Sequence, residues 1–205
     1  MRLFAAVSPP LAARRHLAEA LERIRAADEP WRWVDPPRWH LTLAFFGEVA
    51  EDRVPSLVSR LSRAVARARP LALRLAGAGA FDRPTRARVL WVGVEVREDD
   101  PGLSLLAARC VAAGRRSGLA MPGADRPFRG HLTLARSAGE ERLDAREVVT
   151  ALADYRGPWW TASELSLMRS FLGPQPRYEV IRQWMFGEAS SERIAAHRRP
   201  GDRRP

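Results

Sequence analysis

The sequence contains no lysine, a single cysteine and no long apolar run. Because Cys110 is the only cysteine among the 205 residues, no disulfide can form within the chain, and we expect a cytoplasmic protein. Its apolar runs are shorter than the about 20 residues that a transmembrane helix requires, so we expect no membrane partner. The apolar run from Met1 to Val7 is also shorter than a signal-peptide core, and we interpret it as a first β-strand rather than an export signal.

The missing lysine means that all 34 basic residues are arginine, and with 24 acidic residues the formal net charge is +10. Such an excess of positive charge attracts polyanions. The same bias can arise from codon composition, so charge alone leaves nucleic-acid binding and a composition effect equally open. The 46% of hydrophobic residues is typical of a globular protein, and the length suffices for one large domain or two small fused lobes.

Several other kinds of catalytic or ligand site find no support in the sequence. No Gly-x-Ser-x-Gly segment is present to form a nucleophile elbow, and Cys110 lies on the apolar side of a predicted helix. Gly77-x-Gly79 is too short for a nucleotide-binding loop. The histidine motifs described next bring no third His, Cys or carboxylate at metal-ligand spacing, so we expect no metal and no cofactor.

The chain does contain one tetrapeptide twice, His-Leu-Thr-Leu at residues 40–43 and again at 131–134, although it has only four histidines. At the same offset of 91 residues further identical residues coincide, namely Pro10 with Pro101, Pro36 with Pro127, Ala44 with Ala135, Val58 with Val149 and Leu61 with Leu152. The order of predicted elements also repeats. We therefore interpret the chain as a fused duplication whose two lobes face each other across a cleft on a pseudo-twofold axis.

Apolar periodicity predicts strands and helices in the same order in both halves. The predicted strands cover 2–7, 40–46, 71–75, 89–96, a segment starting at 131, 164–168 and 178–186, while residues 31–39 are interpreted as a connection. The predicted helices follow Ser8 as a cap, begin near Glu51 and at Pro101-Gly102, and follow Asp144 as a cap. Residues 187–205 lack apolar periodicity and end in Arg and Pro, which predicts a disordered basic tail.

The alternation within each motif predicts a catalytic face and a core face. In a strand, residues i and i+2 point the same way, so His40 and Thr42 share one face while the leucines face the core, and the same holds for His131 and Thr133. Since histidine titrates near neutrality, one imidazole can accept a proton while the other donates one. The hydroxyls can hydrogen-bond the non-bridging oxygens of a phosphodiester. A lone strand histidine is more often structural, and it is the duplication that favours catalysis.

The paired motifs and their surroundings resemble the 2H phosphoesterase superfamily and, within it, the RNA 2′,3′-cyclic phosphodiesterases, also called 2′-5′ RNA ligases. Nearly all of residues 1–186 takes part, through the segments 2–7, 33–36, 40–49, 131–136, 164–170 and Gly173-Pro174 followed by Tyr178. The resemblance implies an α+β, duplicated bilobal 2H phosphoesterase fold, with two β-sheets facing across a central cleft and helices on the outside. Residues 1–186 would form this single domain, with lobes at about 1–80 and 85–186.

The resemblance implies a metal-independent hydrolase that converts the terminal 2′,3′-cyclic phosphate of RNA to a 2′-phosphate and can join tRNA halves through a 2′-5′ bond. By position, His40 would donate a proton to the departing 3′ oxygen, His131 would accept the proton of water, and Thr42 and Thr133 would bind the phosphate. From the residues alone the two histidine roles are interchangeable. We expect a monomer whose partners are cyclic-ended RNAs, including tRNA fragments. The alternatives are a non-catalytic RNA-end binder and a sister 2H phosphodiesterase acting on another cyclic phosphate or a small nucleotide.

Arg136 is a further expected phosphate ligand, since the family pattern places a phosphate-contacting arginine at this position. Strict strand alternation would turn its side chain to the core face, away from His131. We therefore expect either that the strand ends or bulges near Ala135, or that Arg136 acts from the side. In the first copy of the motif the matching position is Phe45, which we interpret as a core residue.

Overall fold

The computed structural model describes residues 1–25, 31–138, 141–173 and 176–188, so the predicted tail lies outside the described residues from 189 onward. Within these ranges no helix is both long and apolar enough to cross a membrane. The described strands and helices are β1 (Arg2–Val7), α1 (Leu11–Glu22), β2 (Trp31–Trp33), β3 (Leu41–Glu48), α2 (Val54–Val65), β4 (Leu71–Phe81), β5 (Val89–Val96), α3 (Gly102–Arg116), β6 (His131–Ser137), α4 (Arg146–Ala151), β7 (Trp160–Ala162), β8 (Glu164–Phe171) and β9 (Arg177–Met185).

The α+β class is confirmed, and most elements lie where the sequence predicts them. Three strands differ most: residues 31–33 form β2 instead of a connection, β7 at Trp160–Ala162 was not predicted, and β4 runs six residues further than the predicted 71–75. β4 continues because Gly77 forms a bulge with a φ of +59°, which glycine adopts without strain, and the strand then pairs on beyond it. Ser8 does not cap α1, whose N-cap residue is Pro10.

The strands form one curled antiparallel sheet instead of two separate ones. Its order is β7-β4-β5-β6-β3-β1-β8-β9, with β2 attached to β6. The two expected sheets are the two halves of this sheet, and they are continuous because Leu41 of β3 pairs with Leu132 of β6. Outward from this junction, β3-β1-β8-β9 on one side matches β6-β5-β4-β7 on the other. The strand order therefore has the expected approximate twofold relation, centred on the two motifs.

Each half of the sheet takes strands from both halves of the sequence. β4, from the first repeat, pairs with β5, and β8, from the second repeat, pairs with β1. β4 thus lies inside the half-sheet of β5 and β6, and β8 and β9 lie in the half-sheet of β1 and β3. The division into lobes at about residues 1–80 and 85–186 stays a prediction. Among the described strands, the two repeats are joined by five strand pairs: β3–β6, β4–β5, β1–β8, β2–β6 and β4–β7.

The core lies on the face of the sheet that the motif leucines occupy. Leu41, Leu132 and Leu134 are 0% exposed and Leu43 is 4% exposed. α3 packs against β3 and α2, while α1 and α4 pack against β4. Complete burial of a leucine side chain contributes about 1.5–3 kcal/mol, so the motif leucines anchor the two central strands. With those side chains on the core face, the histidines and threonines between them are left on the opposite face.

Candidate active site

The register of the β3–β6 junction brings the two motifs side by side. Leu41 and Leu132 are direct partners in this antiparallel pair, and both are fully buried. Their neighbours in sequence therefore point to the other face. Continuing the register by one residue on either side sets each histidine opposite the threonine of the other copy. The four predicted motif residues thus form two cross-strand His–Thr pairs on one face, with the two histidines diagonal to each other.

A β-bulge in β6 returns Arg136 to this face. Thr133 and Ala135 pair with adjacent residues of β5, which leaves Leu134 as the extra residue. An inserted residue reverses the alternation of the side chains that follow it. Arg136 therefore lies on the face of His131, as the first of the two expected arrangements requires. Its side chain is exposed, and its charge acts on both imidazoles.

The first motif carries the same bulge at the equivalent position. Thr42 and Ala44 pair with adjacent residues of β1, so Leu43 is the extra residue. Phe45 consequently turns to the same face as Thr42, is half-buried and lines a cavity with it. The guanidinium of Arg2 lies 4.7 Å from the centre of its ring. The interpretation of Phe45 as a core residue is therefore wrong, because that interpretation assumed an uninterrupted strand.

The two imidazoles are oriented by identical hydrogen bonds. Nδ1–H of His40 donates to the backbone oxygen of Arg38 at 2.8 Å, and Nδ1–H of His131 donates to that of Arg129 at 2.8 Å. A carbonyl oxygen can only accept, so Nδ1 keeps its proton in both the neutral and the charged ring. Nε2 is therefore the atom of each ring that can exchange a proton with a substrate.

Aromatic rings from neighbouring strands pack against both imidazoles. Phe4 and Tyr178 lie with their centroids 4.8 and 5.1 Å from that of His40. Phe81 meets His131 edge to face at 4.8 Å. Sequence reasoning missed Phe4 and Phe81 as site residues, since both lie on strands whose pairing with the motifs is not a local pattern. Together the rings fix the planes of the two imidazoles and restrict water around them.

Burial and positive charge lower the pKa of both histidines. For His40 burial is the main cause, the hydrogen bond to Arg38 opposes it, and the charges of Arg136 and His131 lower the pKa further. For His131 the main cause is again burial, opposed by the bond to Arg129 and supported by the charge of Arg136. Both rings therefore favour the neutral form without a ligand. An anion between them would offset the arginine charge and favour protonation of one ring.

Two cavities open beside the imidazole pair. The larger, of about 680 Å³, is bounded by Thr42, His131 and Phe81 at one end and by α3 along one side. The smaller, of about 320 Å³, is bounded by His40 and Tyr178 among others. Each imidazole therefore borders its own recess, and substrate groups can extend from the pair in two directions.

Other reactive side chains are not part of this site. Cys110 is completely buried on the apolar side of α3, as predicted, and burial raises its pKa to about 12. His16 lies 3.1 Å from the hydroxyl of Tyr155 through Nδ1, whereas His197 is outside the described residues. Among the residues the structure describes, no three His, Cys, Asp or Glu side chains lie close enough together to hold a metal ion.

Comparisons with known proteins agree with this geometry. A family model described as LigT like phosphoesterase matches residues 7–91. An RNA 2′,3′-cyclic phosphodiesterase of Thermus thermophilus is 32% identical over 214 residues, covering 99% of this chain and 98% of the relative. The crystal structure of TT0787, also from Thermus thermophilus, superposes with a TM-score of 0.74 and 31% identity over 91% of this chain and 98% of that one.

The crystal structure of E. coli LigT complexed with 3′-AMP has a TM-score of 0.71 and 28% identity, and the match covers 91% of this chain and 98% of that chain. Sequence and fold thus agree over nearly the whole chain, which confirms the resemblance to the 2H phosphoesterases. The chain belongs to the family of LigT-like phosphoesterases.

Proposed function

We propose that this protein hydrolyses the 2′,3′-cyclic phosphate at the end of an RNA chain to a 2′-phosphate, by acid–base catalysis with two histidines and without a metal ion. Relatives named RNA 2′,3′-cyclic phosphodiesterase support the substrate class. The observation that carries the mechanism is the convergence of both His-Leu-Thr-Leu motifs on one face of one strand pair. A binding protein would need neither two free Nε2 atoms nor their matched orientation.

The two imidazoles would act on opposite sides of the phosphorus. Nε2 of His131 accepts a proton from water as its oxygen attacks, the bond from phosphorus to the 3′ oxygen breaks, and Nε2 of His40 protonates that oxygen. The 2′ oxygen keeps the phosphate. The reaction leaves His131 protonated and His40 neutral, so one proton must be exchanged with solvent before the next turnover. Because the two rings are held alike, exchanging their roles gives an equally balanced reaction.

The phosphate would be held by groups on the same face. Hydroxyls of Thr42 and Thr133 would donate to the two non-bridging oxygens, and the register that sets each beside the histidine of the other copy supports this role. Arg136 adds a guanidinium, which binds phosphate oxygens strongly. Donors aimed at charge that develops in the transition state are each worth about 10²–10³ in rate. These three side chains would therefore supply a large part of the catalysis.

Joining of RNA ends through a 2′-5′ bond is a second proposed activity of the same site. The 5′ hydroxyl of another RNA would replace water as the attacking group, with the same base and acid. The presence of two cavities, one beside each imidazole, favours this possibility because a second chain needs its own path to the phosphorus. Action on tRNA fragments, a monomeric state and a cytoplasmic location stay predictions from the sequence.

Hydrolysis of a short RNA ending in a 2′,3′-cyclic phosphate, assayed in excess EDTA, tests the proposal. We expect a 2′-phosphate product at the same rate with and without EDTA. Complete loss of turnover in EDTA would refute the metal-free mechanism, and binding without turnover in any buffer would indicate an RNA-end binder. Faster hydrolysis of a cyclic mononucleotide or another cyclic phosphate than of any cyclic-ended RNA would indicate a sister 2H phosphodiesterase.

A further inference from the structure

We propose that the RNA upstream of the cyclic phosphate follows a defined path away from the catalytic pair. The path leads through the larger cavity, crosses α3 and enters a groove between α2 and α3 that we call the arginine groove. This inference rests on the proposed function, and it adds a second binding region, remote from the two motifs, for the RNA backbone. Single-stranded RNA binds such surfaces by placing phosphates on arginines and bases on apolar walls.

The arginine groove is a depression of about 140 Å³ lined by α2, the residues just after it and α3. Five arginines and three alanines line it, and no acidic residue does: Arg60, Arg63, Arg67, Arg109 and Arg116 with Ala64, Ala112 and Ala113. The arginines come from both helices and surround a floor of small side chains. This arrangement leaves room between the guanidinium groups for a flexible anionic chain.

The charge of the groove is not neutralised by carboxylates within the described part of the chain. None of its five arginines takes part in a described ion pair. Arg109 donates to the backbone oxygen of Arg67 at 2.9 Å, and Arg60 donates to the hydroxyl of Ser56 at 3.4 Å. By contrast, nearby Arg69 and Arg115 are both paired with aspartates. Converging unpaired cations repel one another, and a polyanion relieves that repulsion.

The arginine groove adjoins the larger cavity beside the catalytic site. Ala112 and Arg116 of α3 line both the arginine groove and the larger cavity, so the two depressions meet at these residues. At its far end the same cavity reaches Thr42 and His131. An RNA chain that crosses α3 at these two residues would therefore reach both the proposed catalytic pair and the five arginines.

The walls between these two ends suit the bases of an RNA chain. The part of α3 from residue 104 to residue 112 lines the cavity with small or apolar side chains, including Ala107, Ala108 and Val111, and Phe128 also lines it. Three further arginines line the cavity, Arg115, Arg126 and Arg129, in addition to the shared Arg116. Alternating apolar and cationic surface fits a chain of bases and phosphates. An acidic protein would fit the arginine groove but would give no reason for the connection to the catalytic residues.

Substrate length is the experimental variable that tests this path. The probes are 2′,3′-cyclic AMP and RNAs of about four and about 12 nucleotides with a 2′,3′-cyclic end, lengths that span typical single-strand sites. The test variant is Arg63→Gln/Arg67→Gln, with exposed side chains in the groove. The matched control is Arg15→Gln/Arg23→Gln, which removes two exposed charges at α1. Thermal unfolding of each variant checks the fold. If the test variant does not fold, Arg116→Gln is used in its place.

We expect kcat/KM of the wild-type protein to rise with RNA length. In the test variant, the ratio of kcat/KM for the longest RNA to kcat/KM for 2′,3′-cyclic AMP should fall about tenfold, mainly because KM for the RNA rises. The slope of log kcat/KM for the longest RNA against log salt concentration should become shallower by roughly one. The control should keep the wild-type ratio. If neither 2′,3′-cyclic AMP nor any of the RNAs is hydrolysed by the wild-type protein, the proposed function itself fails. If they are hydrolysed but the ratio is unchanged in the test variant, the path is wrong and the groove serves another partner, such as an acidic protein.

Discussion

At the scale of single residues, the proposed chemistry depends on how the two imidazoles are held. Each has Nδ1 occupied by the carbonyl two residues earlier, which leaves Nε2 free on the shared face. The histidines and threonines could be predicted from the sequence because strand alternation is a local rule. The position of Arg136 could not be settled in the same way, since it depends on a bulge formed against β5.

Replacement of either histidine should abolish most of the activity. We expect His40→Ala and His131→Ala each to lower kcat on a cyclic-ended RNA by about 10²–10⁴, the range for loss of a general acid or base. His16→Ala is the control and should keep the wild-type rate, because its imidazole contacts Tyr155 away from the motifs. A fully active His40 or His131 variant would remove that residue from the mechanism.

Loss of Arg136 should change both the rate and the titration of the histidines. Its charge lowers the pKa of His40 and of His131, so Arg136→Gln should raise both pKa values, as measured by NMR titration of the ring protons. The same variant should lose about 10²-fold in kcat/KM if the guanidinium holds the phosphate. Arg15→Gln serves as the charge-matched control. Unshifted imidazole titrations in Arg136→Gln would show that Arg136 lies away from the pair.

At the scale of the elements, the two bulges decide which side chains reach the site. They occur at equivalent positions of β3 and β6, and they turn Phe45 and Arg136 to the catalytic face. The sequence predicted both strands, with a bulge near Ala135 as one of the expected arrangements, but it predicted neither the bulge in β3 nor the partners of the two strands. A bulge is a property of two paired strands, and the pairing partners β1 and β5 are distant in sequence.

Packing of β4 against β5 holds the indole ring of Trp91, which lies near His131. A Cβ atom at Gly79 would collide with the indole of Trp91, which lies 6.3 Å from the His131 ring. We expect Gly79→Ala to lower the free energy of unfolding by about 1–3 kcal/mol, as overpacking does, and to reduce kcat by displacing Trp91. Urea unfolding measures the change in the free energy of unfolding. Gly173→Ala, which meets no atom within 4 Å, should change the free energy of unfolding by less than about 0.5 kcal/mol.

At the scale of the whole molecule, duplication accounts for the approximate symmetry of the sheet, and strand exchange joins its two repeats. The offset of the motifs predicted a twofold site, and the strand order agrees. The sequence could not predict that β4 and β8 pair with strands of the other repeat, because pairing between distant segments leaves no periodic signal within either one. The site is formed only when both repeats are present, since each supplies one histidine.

Cutting the chain between the repeats tests this dependence. The fragments 1–83 and 84–205 separate at an exposed turn after β4, and each lacks a partner strand for its own half-sheet. We expect each fragment alone to give the circular dichroism and NMR spectra of an unfolded chain, and an equimolar mixture to recover β-structure and hydrolysis. A fragment that folds by itself would show that the repeats are independent lobes.

The most direct measurement of two-histidine catalysis is the pH dependence of kcat/KM on a cyclic-ended RNA. The free protein is competent when the pair holds one proton, so the profile should be bell-shaped, falling at low pH as the base is protonated and at high pH as the acid loses its proton. Because the pKa of each imidazole is lowered from 6.5, the maximum should lie below that pH. A profile that keeps rising or stays flat above neutrality would contradict paired action of His40 and His131.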